Sequence, residues 1–244
     1  MIAPSDHEPM IKFEGVSKAY RDHTVLKNVN LSIQKGEFIT VIGSSGCGKT
    51  TMLRLMNGLL TPDSGTVYIN GKDISKVDQI ELRRHIGYVI QSIGLFPHLS
   101  VKKNIEFIPG ILKYDKKQKD EISRRLIRTV GLEESMLDRY PGELSGGQKQ
   151  RVGVARALAA SPEVLLMDEP FGALDEITRG KLQDELLRIR SELGITTVFI
   201  THDLREAAKL GDRIIVMNNG EIFSIDTPER IMADYDEGRI RFGS

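Results

Sequence analysis

One stretch constrains this chain more than any other: the apolar run FITVIG passes without a break into GSSGCGKT and then into TMLRLMNGLL. The run is bounded by glycine, as a strand buried on both faces should be. From Lys49 onward Met52, Leu53, Leu55, Met56 and Leu59 recur at helical spacing, and TPDSG closes the segment as a turn. Strand, glycine loop and helix follow one another directly. Gly43 to Thr50 fits the pattern G-x-x-x-x-G-K-[ST], in which glycines let successive backbone N–H groups face one anion and the helix N-terminus adds its dipole. In such a loop Lys49 reaches the β- and γ-phosphates and the Thr50 hydroxyl ligates magnesium. Cys47, inside the loop, reads as a packing position.

The rest of the chain repeats the strand and helix alternation. IKFEGVSKAY and VLKNVNLSI partly alternate, TVYINGKDI reads as a strand pair turning at Asn70-Gly71, and HIGYVIQ reads as a strand after a short helix. IGLFPHLS is a loop by its Gly and Pro. Between Val101 and Ala160 the pattern is helical, clearest in GGQKQRVGVARALAA with Val152, Ala155 and Ala159 on one face. PEVLLMDEP reads as an apolar strand ending in carboxylates. A helix over 176–193 carries the stripe Leu182, Leu186, Ile189 and Leu193, and TTVFITHD, DRIIVMNNG and EIFSID read as successive strands. Alternating strands and helices argue a parallel sheet with ligands at the strands' carboxyl ends. Residues 113–128 carry seven basic and three acidic side chains, net +4, and read as a solvated helix face.

Two further segments carry chemistry. VLLMDE places Asp168 and Glu169 at a strand end, where Asp168 suits the shell of a magnesium ion and Glu169 a position beside a γ-phosphate; taken alone, such a pair is more often a helix cap. With a phosphate loop upstream it favours nucleotide hydrolysis over mere binding. LSGGQKQR, residues 144–151, has a glycine pair opening a helix, which could bind phosphate by the same dipole logic. A second anion site has no place within one nucleotide pocket, but it has one facing the nucleotide of another molecule.

The order of these motifs, with LSGGQ some 20 residues before VLLMDE, resembles that of an ABC-type ATPase, over about residues 11–230. The resemblance implies an α/β fold: a P-loop NTPase (RecA-like) core with an antiparallel β subdomain and a helical signature subdomain, the helical part inserted at about 92–160. The domain would run from 11 to 235, between an N-terminal tail (1–10) and a C-terminal tail (236–244). It implies ATP and Mg2+ as cofactors. Tyr20 resembles the aromatic that stacks on adenine, although a strand aromatic would look the same. Gly43, Ser44, Ser45, Gly46, Cys47, Gly48, Lys49, Thr50 and Thr51 would line the phosphates. Gln91 resembles the glutamine that senses magnesium and the γ-phosphate, and with Thr50 and Asp168 it would make the metal set. Ser145, Gly146, Gly147 and Gln148 resemble the signature residues that close over the nucleotide of a partner subunit. Asp175 in GALD resembles an aspartate along the dimer interface, and His202 in THD the switch histidine that contacts the γ-phosphate. The implied mechanism is in-line attack of water, with Glu169 as base or water-orienting group and charge stabilised by Lys49, magnesium and His202.

Composition narrows what such an engine could drive. Hydrophobic residues are 40% and charged residues 28%, as in ordinary soluble globular proteins, and 34 basic against 34 acidic side chains give no net field toward nucleic acid or an anionic surface. Cys47 is the single cysteine, and no apolar run is long enough to cross a bilayer. MIAPSDHEPM lacks the regions of a signal peptide. A translation-type relative would need two motif sets, and a chromosome-maintenance type a long coiled coil between loop and signature. What remains is the ATP-binding subunit of a membrane transporter, pairing head to tail with a second copy of itself and docking on permease subunits at the cytoplasmic face of the membrane. A solute-binding protein would be met only indirectly. IGLFPHLSVKKN resembles the groove that receives a permease helix, though Leu95, Phe96 and Pro97 could simply be packed. HIGYVIQSIGLFPHLSV and YPGELSGGQKQRVGVARALAASPEVLLMDEPFGALDEITR look most like the ATPases of glycine betaine, carnitine and choline uptake. Amino acids or polyamines are the alternative solutes, and a non-transporting ATP-dependent switch the alternative role. Many members of that subfamily continue into paired CBS domains, whereas the sequence given stops near SIDTPERIMADYDEGRIRFGS; either a member without that pair or a truncated one is expected.

Overall fold

The computed structural model describes residues 8–21, 23–172 and 174–241. The first seven residues of the expected N-terminal tail, Ala173 of GALD and the last three residues of the expected C-terminal tail lie outside the described residues. The chain divides into two compact units, one formed by residues up to Arg83 together with those from Thr196 onward, the other by Arg84–Ile195.

In the first unit β1 (Ile11–Tyr20) and β2 (His23–Ile33) form an irregular antiparallel hairpin. Beside the parallel strand β3 (Phe38–Gly43), the later β4 (Ser64–Ile69) pairs with β1, and β5 (Lys72–Asp73) with β4, giving the antiparallel order β2-β1-β4-β5. The turn at Asn70-Gly71 has positive φ at both residues, as a tight hairpin turn requires. β3 runs parallel to both β8 (Thr196–Ile200) and β9 (Arg213–Asn218), and β10 (Glu221–Asp226) returns antiparallel on β9. Every residue of FITVI and TTVFI is buried, which is why these strands lack alternation. The Thr40 hydroxyl, buried among them, donates to Ala207 O at 3.3 Å.

Helix α1 (Lys49–Met56) follows β3, and α2 (Gln79–Arg84) closes the first part of the unit. The spacing predicts that α1 continues through Leu59, but it stops at Met56. Gly58 takes φ +65 and its N–H turns back to Leu55 O, a left-handed stop that releases Leu59 to the surface at 52% exposure. The remaining helices of this unit are α8 (Leu204–Leu210) and α9 (Pro228–Asp236). Each expected tail has one described residue that is buried. Met10 is buried, with its carbonyl accepting from Asn70 N–H, and Ile240 is buried in a cluster with Ile42, Ala207, Ile214, Val216 and Ile231.

In the second unit β6 (Ile86–Val89) and β7 (Val164–Asp168) pair in parallel, from Ile86 opposite Val164 to Val89 opposite Met167. Between them lie α3 (Val101–Ile105), α4 (Phe107–Ile111), α5 (Lys116–Thr129) and α6 (Gly146–Leu158), and after them α7 (Glu176–Leu193). The basic stretch on α5 is knitted by ion pairs: Arg124 to Asp120 (2.8 Å) and Glu134 (2.7 Å), Arg128 to Glu134 (3.1 Å), and Lys102 to Asp120. On α7 the stripe Leu182, Leu186 and Ile189 is buried as the periodicity predicts, while Leu193, in the last turn before the left-handed Gly194, is 50% exposed.

Candidate functional site

The first unit supplies the glycine loop. Gly43, Gly46 and Gly48 have φ of +153, +78 and +105. A Cβ on Gly43 would lie 2.3 Å from Met217 O, and one on Gly48 would lie 2.7 Å from Leu26 Cδ2 and 2.8 Å from Val25 O, so backbone angle and space both demand glycine there. Gly48 is the N-cap of α1 and gives it no side-chain cap, which leaves the first amides of the helix for an outside acceptor. Lys49 is nearly buried, and its ammonium donates to Gly43 O (2.7 Å) and Ser44 O (2.9 Å) of its own loop. Cys47 is buried against that ammonium at 3.8 Å, as its packing role predicts, while Ser45 and Gly46 form the exposed tip. Thr50 and Thr51 are half-buried in the first turn of α1.

Tyr20 ends β1 with 44% of its surface exposed, so its ring can meet a flat ligand. His202 is exposed in the turn between β8 and α8. That turn is fixed on both sides: Thr201 N–H donates to Val41 O, Thr201 Oγ1 donates to Glu206 at 2.5 Å, and Asp203 caps α8 through Arg205 and Glu206 N–H.

The second unit supplies the carboxylates. Asp168, the last residue of β7, is only 5% exposed, and Glu169 after it sits at φ +46, a strained conformation for a non-glycine residue. β6 and β7 end in register, so Gln91 and Glu169 each stand two residues past the pair Val89–Met167. Their side chains meet, with Gln91 Nε2 donating to Glu169 Oε2 at 3.2 Å.

LSGGQ opens α6. Leu144 is buried and anchors it. Ser145 Oγ accepts from Gln148 N–H (3.2 Å) and Gln148 Oε1 accepts from Ser145 N–H (2.8 Å), a reciprocal capping box that occupies both side chains. Gly146 faces open space, and a Cβ on Gly147 would press on Leu174 at 3.0 Å. Asp175 caps α7, accepting from Thr178 N–H at 3.0 Å, and this bond together with the Thr178 hydroxyl holds its carboxyl below the usual carboxylate range. Motif reading did not single out Arg156 and Asn104, which grip the loop carrying Gln91; its one signal was a charged residue inside the apolar face pattern of VARAL.

Among the described residues no helix is long and apolar enough to cross a membrane, and no three His, Cys, Asp or Glu side chains form a metal cluster.

Comparison with known proteins places these motifs. The family described as ABC transporter matches residues 26–172, which include the loop, the signature and both carboxylates. The carnitine transport ATP-binding protein OpuCA of Listeria monocytogenes is 52% identical over 224 residues, 91% of this chain and 56% of that protein. The glycine betaine uptake system ATP-binding protein YehX of Escherichia coli is 48% identical over 219 residues, 90% of this chain and 71% of that protein. Among solved structures, the dimeric ATP-binding cassette MJ0796, in a post-hydrolysis state bound to ADP and Pi, superposes with a TM-score of 0.84 at 38% identity, covering 90% of this chain and 99% of that one. The chain thus spans little more than half the length of OpuCA but most of YehX and nearly all of the cassette. With the phosphate loop, LSGGQ and the carboxylates all inside the matched span, this chain belongs to the ABC transporter family, as an ATP-binding domain.

Proposed function

We propose that this chain is the ATP-hydrolysing subunit of an importer for a quaternary amine compatible solute: glycine betaine, carnitine or choline. One observation carries hydrolysis rather than binding alone, the hydrogen bond that orients Glu169 from Gln91 beside the buried Asp168. A switch that only bound nucleotide would have no use for an aimed carboxylate. The solute class rests on the likeness to OpuCA and YehX.

In this reading the amides of Gly46 to Thr50 and the Lys49 ammonium bind the phosphates, and Tyr20 stacks on the base. Glu169 takes the proton of the attacking water or orients it, and His202 contacts the transferring group. Thr50, Asp168 and Gln91 carry a hydroxyl, a carboxylate and an amide oxygen, hard donors of the kind that suit Mg2+, which takes few protein ligands beside phosphate and water. Bound there, magnesium would neutralise charge on the phosphates. Ser145, Gly146 and Gly147 close over the nucleotide of a second copy, paired head to tail, and Asp175 lies along that junction. Permease subunits would hold the pair at the cytoplasmic face of the membrane, with a solute-binding protein engaged only through them.

The experiment is uptake of radiolabelled betaine, carnitine, choline and spermidine by cells with and without the gene. Loss of quaternary amine uptake alone is the expected result. Loss of spermidine uptake instead would overturn the solute class.

A further inference from the structure

After Gln91 the chain makes two successive left-handed steps, at Ile93 (φ +66) and Gly94 (φ +58). Glycine takes that conformation freely, whereas a β-branched residue holds it only under constraint. Helix α6 supplies the constraint. Arg156 Nη1 donates to Gly94 O at 2.7 Å, Nη2 donates to Ile93 O at 3.1 Å, and the guanidinium lies 5.6 Å from the centre of the Phe96 ring. Burial lowers the pKa of this arginine, whose charge is met by two carbonyl dipoles and a π face. From the other side the buried Asn104 of α3 accepts from Phe96 N–H (2.8 Å) and donates to Phe96 O (3.1 Å) and Leu99 O (3.0 Å). Only a planar fork serves two adjacent carbonyls and a ring together.

We propose that Arg156 is the positioning residue for Gln91: by holding Ile93 and Gly94 in the left-handed region it sets where the chain travels after β6, and so whether Gln91 Nε2 reaches Glu169 Oε2. The inference rests on the reading in which Gln91 and Glu169 serve hydrolysis. α6 is capped by Ser145 of the signature, so a displacement of that helix passes to Gln91 through one named side chain.

The test is steady-state ATP hydrolysis by the full chain, with KM for ATP measured alongside. Arg156→Lys keeps the charge and loses the fork; it is expected to lower kcat about tenfold or more, as misplacement of a catalytic neighbour does, with KM changed by less than about twofold. Adding Ile93→Gly, which removes the backbone strain, should restore most of that loss. In a Gln91→Ala background Arg156→Lys should cost nothing further, because the two act in series. If Arg156→Lys does not fold, Gly94→Ala disturbs the same turn, its Cβ falling 2.7 Å from Ile90 Cδ1, and it should lower kcat only where Gln91 is present. An equal loss on top of Gln91→Ala, or no rescue by Ile93→Gly, overturns the positioning role. Full activity of Gln91→Ala by itself overturns the hydrolysis reading beneath it.

Discussion

Gln91 and Glu169, 78 residues apart in sequence, are joined by a hydrogen bond of 3.2 Å at the ends of two parallel strands in register. The register does the joining, since a slip of one residue in β6 against β7 would turn one side chain to the opposite face of the sheet. Glu169 also stands at φ +46, and strain of this kind costs about 1–3 kcal/mol, which neighbouring structure must offset. The carboxylate is thereby aimed before any nucleotide arrives.

Lys49 presently bonds the carbonyls of Gly43 and Ser44. A phosphate would replace those neutral acceptors with charged ones, which roughly double the strength of a hydrogen bond. Lys49→Ala is therefore expected to weaken ATP binding by about tenfold or more, equivalent to about 1.4 kcal/mol, in a titration with labelled nucleotide. Unchanged affinity would remove Lys49 from the phosphate site.

Gly48→Ala places a methyl group 2.7 Å from Leu26 Cδ2 and 2.8 Å from Val25 O, at a φ of +105. The loop cannot keep its path. ATP binding should fall below detection in the same titration, with a lower melting temperature. By contrast Gly46→Ala, which meets nothing within 4 Å, should lose binding only through its backbone angle and more mildly.

How much of this was legible beforehand depends on the range of the interaction. The glycine loop, α6 and the strand-end carboxylates are local patterns, and each stands where its residues predict. The early end of α1 turned on Gly58, whose left-handed stop competes with a hydrophobic spacing that continues past it. Met10 and Ile240 fall in the expected tails, where an isolated apolar residue shows no period, yet both pack into the unit. The grip of Arg156 on Ile93 and Gly94 spans more than sixty residues and could not be read from spacing at all.

Phe199 is fully buried in β8, with its ring 6.0 Å from that of Phe38 in β3. Truncation removes a large buried side chain from the sheet that contains β3, the strand leading into the glycine loop. Phe199→Ala should cost about 3–5 kcal/mol in denaturant unfolding. A cost below about 1 kcal/mol, the scale of a volume-conserving swap, would mean the ring is not part of the core described.

Asp120 receives hydrogen bonds from Lys102 and then Arg124, which bring its carboxyl down to about 2. A carboxyl with a depressed pKa in the folded state contributes stability above its ordinary pKa and loses it as pH falls through the depressed one. Asp120→Asn should therefore lower the melting temperature at neutral pH, and the gap to the parent should close as pH falls from about 4 to about 2. A gap that stays constant across that window would mean the ion pairs do not matter. The carboxyl is only half-buried, so added salt should shrink the effect.

The central claim is that Glu169 activates the attacking water, and Glu169→Gln tests it most directly because shape is kept while the base is lost. ATP affinity should stay within about twofold and turnover should fall at least about a hundredfold, the scale of a lost general base. The ATP-bound variant should accumulate as a dimer in size-exclusion chromatography. Hydrolysis at the parent rate by Glu169→Gln would contradict the account.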